Sequence, residues 1–439
     1  MHQPDECAVL AGGARRRRRR AVHALCATGL GVFLGSGSAW WNGSAEVPRG
    51  APVSSTATAT TSFEPVTFAD LPGWETDDHL AAFRAFRVSC PRLKAAARAG
   101  NGAGTIAIPA RLLAACDAAA ALPEPVTRAA ARAFFEREFT PHRVVHPAKQ
   151  GLLTGYYEPV LEGSRTKDEK FATPIYRRPP DLVNLVHEAE RGAKANQLTH
   201  ARKTATGTEP YATRTEIEAG ALKGQNLELL YLADPVDTFF MHIQGSGRIR
   251  LTDGSTVRVH YDGKNGHPYT SIGRYLIDTG MLAADKITMG ALGRWLRADP
   301  DRGRHVMHQN ASFVFFRELQ GEEANGPLGV LSIPLVAGRS LAVDAGTHAI
   351  GTPVYVSSPA LTHASRTKKD GGFHRLMIAH DVGSAIRGPE RGDIYFGSGD
   401  KAGRLAGITK HPGHFFVLLP RAPETIEAGA KGRSRQAAQ

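Results

Sequence analysis

The feature that most constrains the fold of this 439-residue chain is a series of short apolar runs near its carboxyl terminus. Glycine and proline separate the runs, and most of the intervals between them contain no helix-length pattern. Short strands with this punctuation are typical of a small closed barrel. The seven runs, in order from Phe313 to Leu419, are FVFFRE, GVLSIPL, SLAVDAG, TPVYVSS, HRLMIAH, DIYFGSG and HFFVLL. This part of the chain is therefore predicted to form a β-barrel.

Helical patterns precede the strands. Phe83 and Phe86 recur at helical spacing after an acidic start, and Pro91 is predicted to end that helix. Two further helices are predicted, an alanine-rich one from Arg111 to Leu122 and one that Thr127 caps. The predicted fold class is mainly β with amino-terminal helices.

The central region has β patterns of its own. Residues 248–251 and 256–261 alternate in polarity, and Asp253 and Gly254 supply a hairpin turn between them. Thr213 and Glu216 form a capping-box pattern for a short helix. A second, antiparallel β region is therefore predicted before the barrel runs.

The amino terminus resembles an export signal. Six consecutive arginines, Arg15 to Arg20, precede a moderately apolar stretch with small residues before Trp41. This order is typical of a secretory signal peptide, cleaved or kept as an anchor, and a disordered basic tail is the alternative. Cys26 is poorly placed for lipidation because most of the apolar stretch follows it. Export is therefore predicted, and lipidation is not.

The charge balance adds little about partners. The formal net charge is +12, and removing the six arginines of that run leaves +6. An excess of this size is weak support for an anionic partner, and no nucleic-acid partner is predicted.

Two of the four cysteines, Cys7 and Cys26, lie in the predicted export segment. The other two, Cys90 and Cys116, would remain in an exported protein, where a disulfide between them is the preferred interpretation. A pair of buried free thiols is the alternative.

Two acidic residues stand at junctions between apolar runs and glycine-rich turns. Asp381 follows one run, and Asp393 precedes the next. A carboxylate at a strand end beside a tight turn can be held rigidly with its tip in a groove, as general acid–base chemistry requires. Ordinary turn formation is the competing interpretation. Asp344 and Asp400 are further carboxylates in this region, and the sequence does not say which pair is close.

No metal or cofactor is predicted. The cysteines form no CxxC pair, and His305 and His308 lack the HExxH pattern of zinc enzymes. GSGDKA, residues 397–402, satisfies GxGxxA, but no βαβ pattern follows it.

Five motifs together carry a family resemblance. They are GYYEPV (155–160), HIQGSGRIRL (242–251), NGHPYTSIGRYLID (265–278), ASFVFFRE (311–318) and DVGSAIRGPERGDIYFGSGDKAG (381–403). In this order they resemble the membrane-bound lytic murein transglycosylase A (MltA) family, and the resemblance extends from about residue 68 to residue 420. It implies a double-psi β-barrel domain interrupted by an inserted β-rich domain, with a glycan strand in the groove between them.

The resemblance implies a division of the chain into five parts. These are a signal or anchor with a linker (1–62), a helical part leading into the barrel (63–154), the inserted β domain (155–311), the barrel segment of the three-aspartate (3D) type (312–420) and a disordered tail (421–439).

The same resemblance implies roles for individual residues. Asp393 takes the catalytic position, and Asp381 helps to shape the site. Tyr156, Gln244 and Ser246 match positions expected to line the groove by stacking on sugars or hydrogen bonding to them, or else to brace the domain junction. To act as an acid, Asp393 must begin protonated, which requires a pKa raised by burial or by a second carboxylate such as Asp381.

The implied activity is that of a peptidoglycan lytic exotransglycosylase, a lyase that cleaves the β-1,4 bond between N-acetylmuramic acid and N-acetylglucosamine and leaves 1,6-anhydromuramyl ends. A glycoside hydrolase with two carboxylates and a non-catalytic wall-binding module are the alternatives. The expected partners are glycan strands and cell-wall synthesis or division proteins, with membrane association through the amino terminus. The expected location is periplasmic or associated with the outer membrane, although no lipoprotein motif is present.

Overall fold

A computed structural model describes residues 61–99, 107–148, 150–186, 197–365, 371–383 and 385–421. Nearly all of the predicted export segment and linker, and of the predicted carboxy-terminal tail, lies outside these residues. Within the described ranges, no helix has both the length and the apolar character needed to cross a membrane.

The secondary structure is mainly β. The strands, in chain order, are β1 (Ser62–Pro65), β2 (Phe139–Val145), β3 (Gly151–Glu158), β4 (Val160–Ser164), β5 (Thr173–Tyr176), β6 (Leu182–Asn184), β7 (His200–Thr204), β8 (Gly207–Glu209), β9 (Glu228–Leu232), β10 (Ser246–Leu251), β11 (Thr256–Lys264), β12 (Val314–Leu319), β13 (Ser340–Val343), β14 (Pro353–Ser358), β15 (Phe373–Val382), β16 (Arg391–Ser398) and β17 (Lys410–Pro420). The helices are α1 (His79–Arg98), α2 (Ala110–Ala120), α3 (Arg128–Glu138), α4 (Arg214–Glu216), α5 (Pro235–Gln244), α6 (Ile272–Asp278), α7 (Met289–Arg297), α8 (Pro300–Met307) and α9 (Gly399–Gly407).

Six strands close into a barrel. Their order is β17–β14–β15–β13–β16–β3, and pairing between β3 and β17 completes the ring. The interior is filled by side chains such as Leu153, Leu341, Ile394 and Phe415, all fully buried. Closure leaves no free strand edge within the ring. The crossing pattern that would define a double-psi barrel stays a prediction.

Two of the seven apolar runs do not form barrel strands. FVFFRE forms β12, which pairs with β11 in a separate sheet, and residues Val330–Ser332 of GVLSIPL form a short 3-10 turn. The sixth barrel strand is β3, from a part of the chain about 180 residues earlier. The assignment failed because apolar runs predict strands but do not identify their partners.

Between β3 and the return of the chain to the barrel at β13 lies a second β region. Its six-stranded sheet has the order β12–β11–β10–β4–β9–β5, and a small three-stranded sheet has the order β6–β7–β8. Within it, the predicted hairpin pairs β10 with β11, and the predicted capping box of Thr213 and Glu216 starts α4. These local predictions are confirmed, but the prediction of a wholly antiparallel region is wrong, because β4 and β10 pair in parallel.

Helices α1 and α3 pack beside the barrel through aromatic side chains, and α2 packs through smaller apolar side chains such as Leu112. Phe83 of α1 and Phe134 of α3 are fully buried, with ring centroids 5.0 Å apart in an edge-to-face arrangement. Thr127 accepts a hydrogen bond from the Ala130 amide and caps α3, as predicted.

The prediction that Pro91 ends the first helix is wrong, because α1 continues to Arg98 with Pro91 inside it. Proline removes one backbone hydrogen bond, here the bond to the carbonyl of Arg87. Pro91 is exposed and Arg87 partly exposed, so water can bind that carbonyl. The buried residues Cys90 and Leu93 on either side supply the packing that keeps the helix intact.

Cys90 and Cys116 form a disulfide that joins α1 to α2, with Cα atoms 5.5 Å apart. Their positions are 26 residues apart in sequence. A crosslink of this length restricts the unfolded chain, so a variant with alanine at both positions should lose about 2–4 kcal/mol of unfolding free energy. Urea unfolding of the oxidised wild type, the reduced wild type and the variant measures this loss, and equal midpoints for all three would contradict the prediction.

Candidate active site

The two predicted aspartates flank a single residue of the barrel wall. Strand β13 runs between β15 and β16, and Ala342 pairs with Asp381 on one side and with Asp393 on the other. Residues directly opposite one another in a sheet point to the same face. Two inter-strand spacings place the Cα atoms of the aspartates about 10 Å apart.

This face is the outer surface of the barrel. Leu341, Val343 and Ile394, which alternate with Ala342 and Asp393, belong to the barrel core. On the outer face, Ala342 joins a small separate apolar cluster with Tyr156, Ile386 and Tyr395. The carboxyl groups therefore stand beside an apolar patch outside the barrel core.

A β-bulge directs Asp381 to this face. The pairing of β13 with β15 jumps from Leu341 with Ala379 to Ala342 with Asp381, which leaves His380 as the extra residue. The His380 ring is buried and lies 2.8 Å from the Ser340 hydroxyl through Nδ1, and burial lowers the pKa of His380 to about 3. Bulges change the direction of neighbouring side chains. Sequence patterns gave no sign of this one, because a bulge interrupts the alternation on which strand predictions depend.

Asp393 is held by the neighbouring strand. Thr154 of β3 pairs with it in register, and the Thr154 hydroxyl donates a hydrogen bond of 2.7 Å to Oδ1. Burial raises the pKa of Asp393, while the Thr154 hydroxyl and the Arg391 guanidinium act in the opposite direction without cancelling the effect. Burial, one of the two causes considered from the sequence, therefore acts on Asp393.

Asp381 retains its proton more strongly. Burial raises its pKa to about 7, and the negative charge of Asp393 adds to the effect. The Val382 amide, 2.9 Å from Oδ1, and the Tyr156 hydroxyl partly oppose it. Both aspartates are partly exposed, although protein atoms surround them closely. Together the two carboxyl groups hold one proton up to a pH of about 7.

Tyr156 contributes its hydroxyl rather than its ring face to the site. Its ring lies 5.2 Å from that of Tyr395, centroid to centroid, and only 9% of the residue is exposed. Its hydroxyl lies near Asp381 and Asp393 but forms no hydrogen bond of normal geometry with either carboxyl group. Little ring surface remains free for a sugar, so stacking on Tyr156 stays a prediction that the geometry does not favour.

Gln244 and Ser246 lie where the second β region, between β3 and β13, meets the barrel. The Gln244 side chain accepts a hydrogen bond of 3.1 Å from the Tyr157 amide, which ties the end of α5 to β3. Ser246 begins β10 and is 9% exposed. The contact of Gln244 supports the bracing role that the sequence left open. A role of either residue in sugar binding stays a prediction.

A buried ionic network joins the site to the second β region. The sequence did not reveal this network. Glu158, at the end of β3, is fully buried and accepts a hydrogen bond of 2.6 Å from Nε of Arg258 on β11. The Ser398 hydroxyl also donates to Glu158, and it lies 3.4 Å from the Tyr395 hydroxyl. Glu158 stands within the GYYEPV motif, and Tyr395 follows Asp393 by two positions on the same strand face. Those two signals were available, but the partners of Glu158, Arg258 and Ser398, are 100 and 240 residues away from it in sequence.

The other two candidate carboxylates, Asp344 and Asp400, do not belong to the pair on either side of Ala342. Asp344 accepts a hydrogen bond of 2.8 Å from the Gly388 amide and so holds the loop that joins β15 to β16. Asp400 lies exposed in the first turn of α9.

The 397–402 segment is not part of a nucleotide-binding unit. It leads into α9, and the strands on either side of that helix run antiparallel, since β3 is parallel to β16 and antiparallel to β17. Gly403 lets α9 approach the Tyr157 ring, because a Cβ there would stand 2.8 Å from a ring carbon. Helix α9 therefore packs directly on β3.

Two family models match the chain. The model of the MltA specific insert domain matches residues 152–317, and the model of the 3D domain matches residues 339–419. The insert match begins in β3 and ends in β12, and the second match covers β13 to β17.

Curated relatives carry the same family name. Membrane-bound lytic murein transglycosylase A of Escherichia coli K12 is 36% identical over 270 residues, which are 61% of this chain and 65% of that protein. The Vibrio cholerae protein of the same name is 34% identical over 274 residues, or 62% of this chain and 66% of that protein. The chain thus spans just under two thirds of the length of the curated relatives that it matches.

Solved structures of the family are similar over more of the chain. The membrane-bound lytic murein transglycosylase of Agrobacterium tumefaciens has a TM-score of 0.72 and 38% identity, covering 82% of this chain and 98% of that one. MltA of Neisseria gonorrhoeae in a monoclinic form has a TM-score of 0.66 and 34% identity, covering 84% and 96%. E. coli MltA with bound chitohexaose has a TM-score of 0.56 and 29% identity, covering 82% and 92%. With the insert model, the 3D model and these neighbours in agreement, the chain belongs to the MltA family of membrane-bound lytic murein transglycosylases.

Proposed function

We propose that the protein is a peptidoglycan lytic transglycosylase in which Asp393 is both the general acid and the general base. The observation that carries the proposal is the placement of Asp393 and Asp381 on either side of Ala342, on the outer barrel face, in a chain of this family. The bond to be broken is the β-1,4 bond between N-acetylmuramic acid and N-acetylglucosamine.

In the first step, the Asp393 carboxyl donates its proton to the glycosidic oxygen. The bond from that oxygen to C1 of the muramyl residue breaks, and positive charge develops on the sugar ring. Burial favours the protonated form that this step requires, and the Thr154 hydroxyl fixes the orientation of the carboxyl group. The N-acetylglucosamine product leaves with the donated proton.

In the second step, the ionised Asp393 removes the proton of the muramyl 6-hydroxyl. The freed oxygen attacks C1 and closes a 1,6-anhydro ring, and Asp393 regains its proton. No water is consumed, so one carboxyl group can serve both steps. The nucleophile belongs to the substrate itself.

Asp381 is proposed to influence which of the two carboxyl groups carries the proton. When the shared proton lies on Asp393, the ionised Asp381 opposes a second negative charge and so favours the protonated acid. Once ionised, it can stabilise positive charge that develops on the sugar, as a nearby carboxylate does in glycosidases. The Tyr156 hydroxyl, which faces both carboxyl groups, is placed to stabilise either ionised form.

A glycan strand is the proposed ligand, because the related E. coli protein has been crystallised with bound chitohexaose. The strand would lie on the outer barrel face beside the inserted region, next to the Tyr395–Ser398–Glu158–Arg258 network. Export to the periplasm or the outer membrane is part of the proposal, supported by the arginine-rich and apolar amino terminus and by the membrane-bound relatives.

Mass spectrometry of the products from purified murein tests the proposed reaction. Muropeptides with 1,6-anhydro ends, one water lighter than hydrolysed ends, are expected. Reducing ends alone would assign a hydrolase with two carboxylates, and binding without soluble fragments would assign a wall-binding module.

The pH dependence of cleavage should reveal the second carboxyl group. The pair holds one proton up to a pH of about 7, so the wild-type rate should fall as the pH rises through that value. Asp381→Asn removes the group with the higher pKa, so the fall should begin at a lower pH and the rate at pH 7 should decrease more than the rate at pH 5. Initial rates of murein solubilisation between pH 4 and 8 provide the measurement. An unchanged alkaline limb in the variant would remove Asp381 from this role.

A further inference from the structure

A pocket of about 410 Å³ lies on one face of the six-stranded sheet of the second β region. Its floor is formed by β10 and β11, with Arg248, Thr256 and Arg258 among its lining residues, and residues 319–321 with Ala324 close one side. Nothing in the proposed cleavage steps uses this pocket. Its size is sufficient for a sugar substituent or a few amino-acid residues.

Arg248 is the unusual residue in the pocket. It is partly exposed, and among the described residues no carboxylate lies within 4 Å of its guanidinium, nor does its side chain form a hydrogen bond. Arg258 lies directly opposite it on β11 and supplies no negative charge to it. The arrangement therefore favours an anion beside Arg248.

The other charged groups of the pocket are already paired. Arg258 binds the buried Glu158 carboxylate at 2.6 Å. Glu318 receives two hydrogen bonds from Arg165, at 2.6 and 2.8 Å. Neither side chain is available to neutralise Arg248. The pocket consequently has one uncompensated positive charge.

The pocket adjoins the candidate active site. Arg258 binds Glu158, Glu158 binds Ser398, and Ser398 lies beside the Tyr395 hydroxyl. Tyr395 in turn lies two residues after Asp393 on the same strand face. A glycan whose scissile bond lies at Asp393 would therefore carry its nearest substituents past Arg248.

We propose that Arg248 and this pocket bind a carboxylate carried by the muramyl residues of the substrate, outside the sugar backbone. The proposal rests on the proposed function, because it takes murein as the substrate. Muramyl residues carry a lactyl ether that ends either in a free carboxylate or in a peptide with carboxylates of its own. N-acetylglucosamine carries neither. Arg248 would thus distinguish murein from neutral glycans of the same backbone, with the Thr256 hydroxyl and the Gln320 amide as further partners for the ligand.

Calorimetric binding in an Asp393→Asn background tests the proposal without cleavage. Three ligands are compared: murein fragments with peptides, the same fragments after an amidase has removed the peptides, and chitohexaose. Arg248→Gln should weaken binding of an acid-bearing ligand by about tenfold, as expected for one charge-assisted hydrogen bond at a partly exposed site, and leave chitohexaose binding unchanged. Arg250→Gln, on the same strand but 63% exposed and outside the pocket lining, is the matched control and should leave all three affinities unchanged.

The pattern of losses identifies the source of the carboxylate. A loss confined to peptide-bearing fragments assigns the peptide, and a loss that persists after amidase treatment assigns the lactyl group. An equal loss for chitohexaose, or no loss for either acid-bearing ligand, would overturn the proposal. Thermal melting of the variants excludes misfolding, and Arg248→Lys, which keeps the charge, should restore part of the affinity.

Failure of this proposal is distinguishable from failure of the proposed function. Anhydro products from the enzyme with Asp393 intact would uphold the transglycosylase even if Arg248→Gln changed no affinity. Absence of such products would overturn the cleavage proposal, whereas the binding comparison would still report on Arg248.

Discussion

Replacing Asp393 by asparagine should lower the rate of murein cleavage by at least about 10³-fold. General acid–base catalysis by one side chain contributes about 10²- to 10⁴-fold, and here a single carboxyl group is proposed for both proton transfers. Asparagine keeps the shape of the side chain and can still accept the Thr154 hydrogen bond. It cannot donate a proton to the glycosidic oxygen or remove one from the 6-hydroxyl.

Folding should survive this change. The pKa of Asp393 is raised in the folded protein, so the ionised form destabilises the fold as the pH rises from the unfolded value toward the folded one. A neutral asparagine removes that penalty, and the melting temperature at pH 7 should be equal to that of the wild type or higher. Asp400→Asn, the same change on the exposed first turn of α9, is the control and should retain full activity.

The measurement is the rate of release of anhydro-muropeptides, together with the affinity for an uncleaved glycan. Residual turnover above about one per cent of the wild-type rate in Asp393→Asn would exclude Asp393 as the acid. Loss of glycan affinity along with turnover would point to a binding role instead.

Replacing Asp77 by alanine should reduce the free energy of unfolding by about 3–5 kcal/mol, the range found when one partner of a buried ion pair is removed. Asp77 is 4% exposed and forms two hydrogen bonds with Arg339, at 2.9 and 3.0 Å. It also accepts a hydrogen bond of 2.8 Å from the Leu376 amide of β15. Arg339 itself is buried and stands immediately before β13. Asp77→Ala would leave its charge without this partner.

This contact matters because it fixes the strands that carry the site. One carboxylate reaches both the start of β13, which contains Ala342, and β15, which contains Asp381. Burial opposes ionisation of Asp77, but the Arg339 guanidinium and the Leu376 amide outweigh it and hold its pKa below the usual value. Its stabilising contribution is therefore present above the unfolded pKa and is lost as the pH falls through the folded pKa.

Denaturant unfolding at pH 7 measures the effect. Glu64→Ala, which breaks an exposed pair with Arg143, is the control and should cost at most about 1 kcal/mol. Adding Arg339→Met to Asp77→Ala should recover part of the loss, since no unpaired buried charge then remains. Equal destabilisation by Asp77→Ala and Glu64→Ala would contradict the prediction.

The sequence predicted the helix caps and the hairpin turn well. The Thr127 cap, the Thr213–Glu216 capping box and the Asp253–Gly254 hairpin depend only on residues within a few positions of one another. Pro91 shows the limit of local rules, because packing of α1 on the barrel outweighs the helix-breaking tendency of one exposed proline.

The motifs also determined which carboxylates to consider, and five motifs in order were enough to indicate the family. They did not determine the geometry of the site. Asp381 and Asp393 are 12 positions apart in sequence, yet they lie on the same face of the barrel because β13, about 40 residues earlier, lies between them and because a bulge at His380 redirects one of them.

By itself, the sequence determined the local structure, the family and the candidate acids, since each of these is carried by residue types at short spacing. The tertiary structure alone decided which strands close the barrel, why the two carboxyl groups differ in pKa, and that Glu158, Arg258 and Arg248 lie beside them. The physical reason is that strand pairing and burial join residues 100 to 240 positions apart, and no local pattern in one chain records such partners.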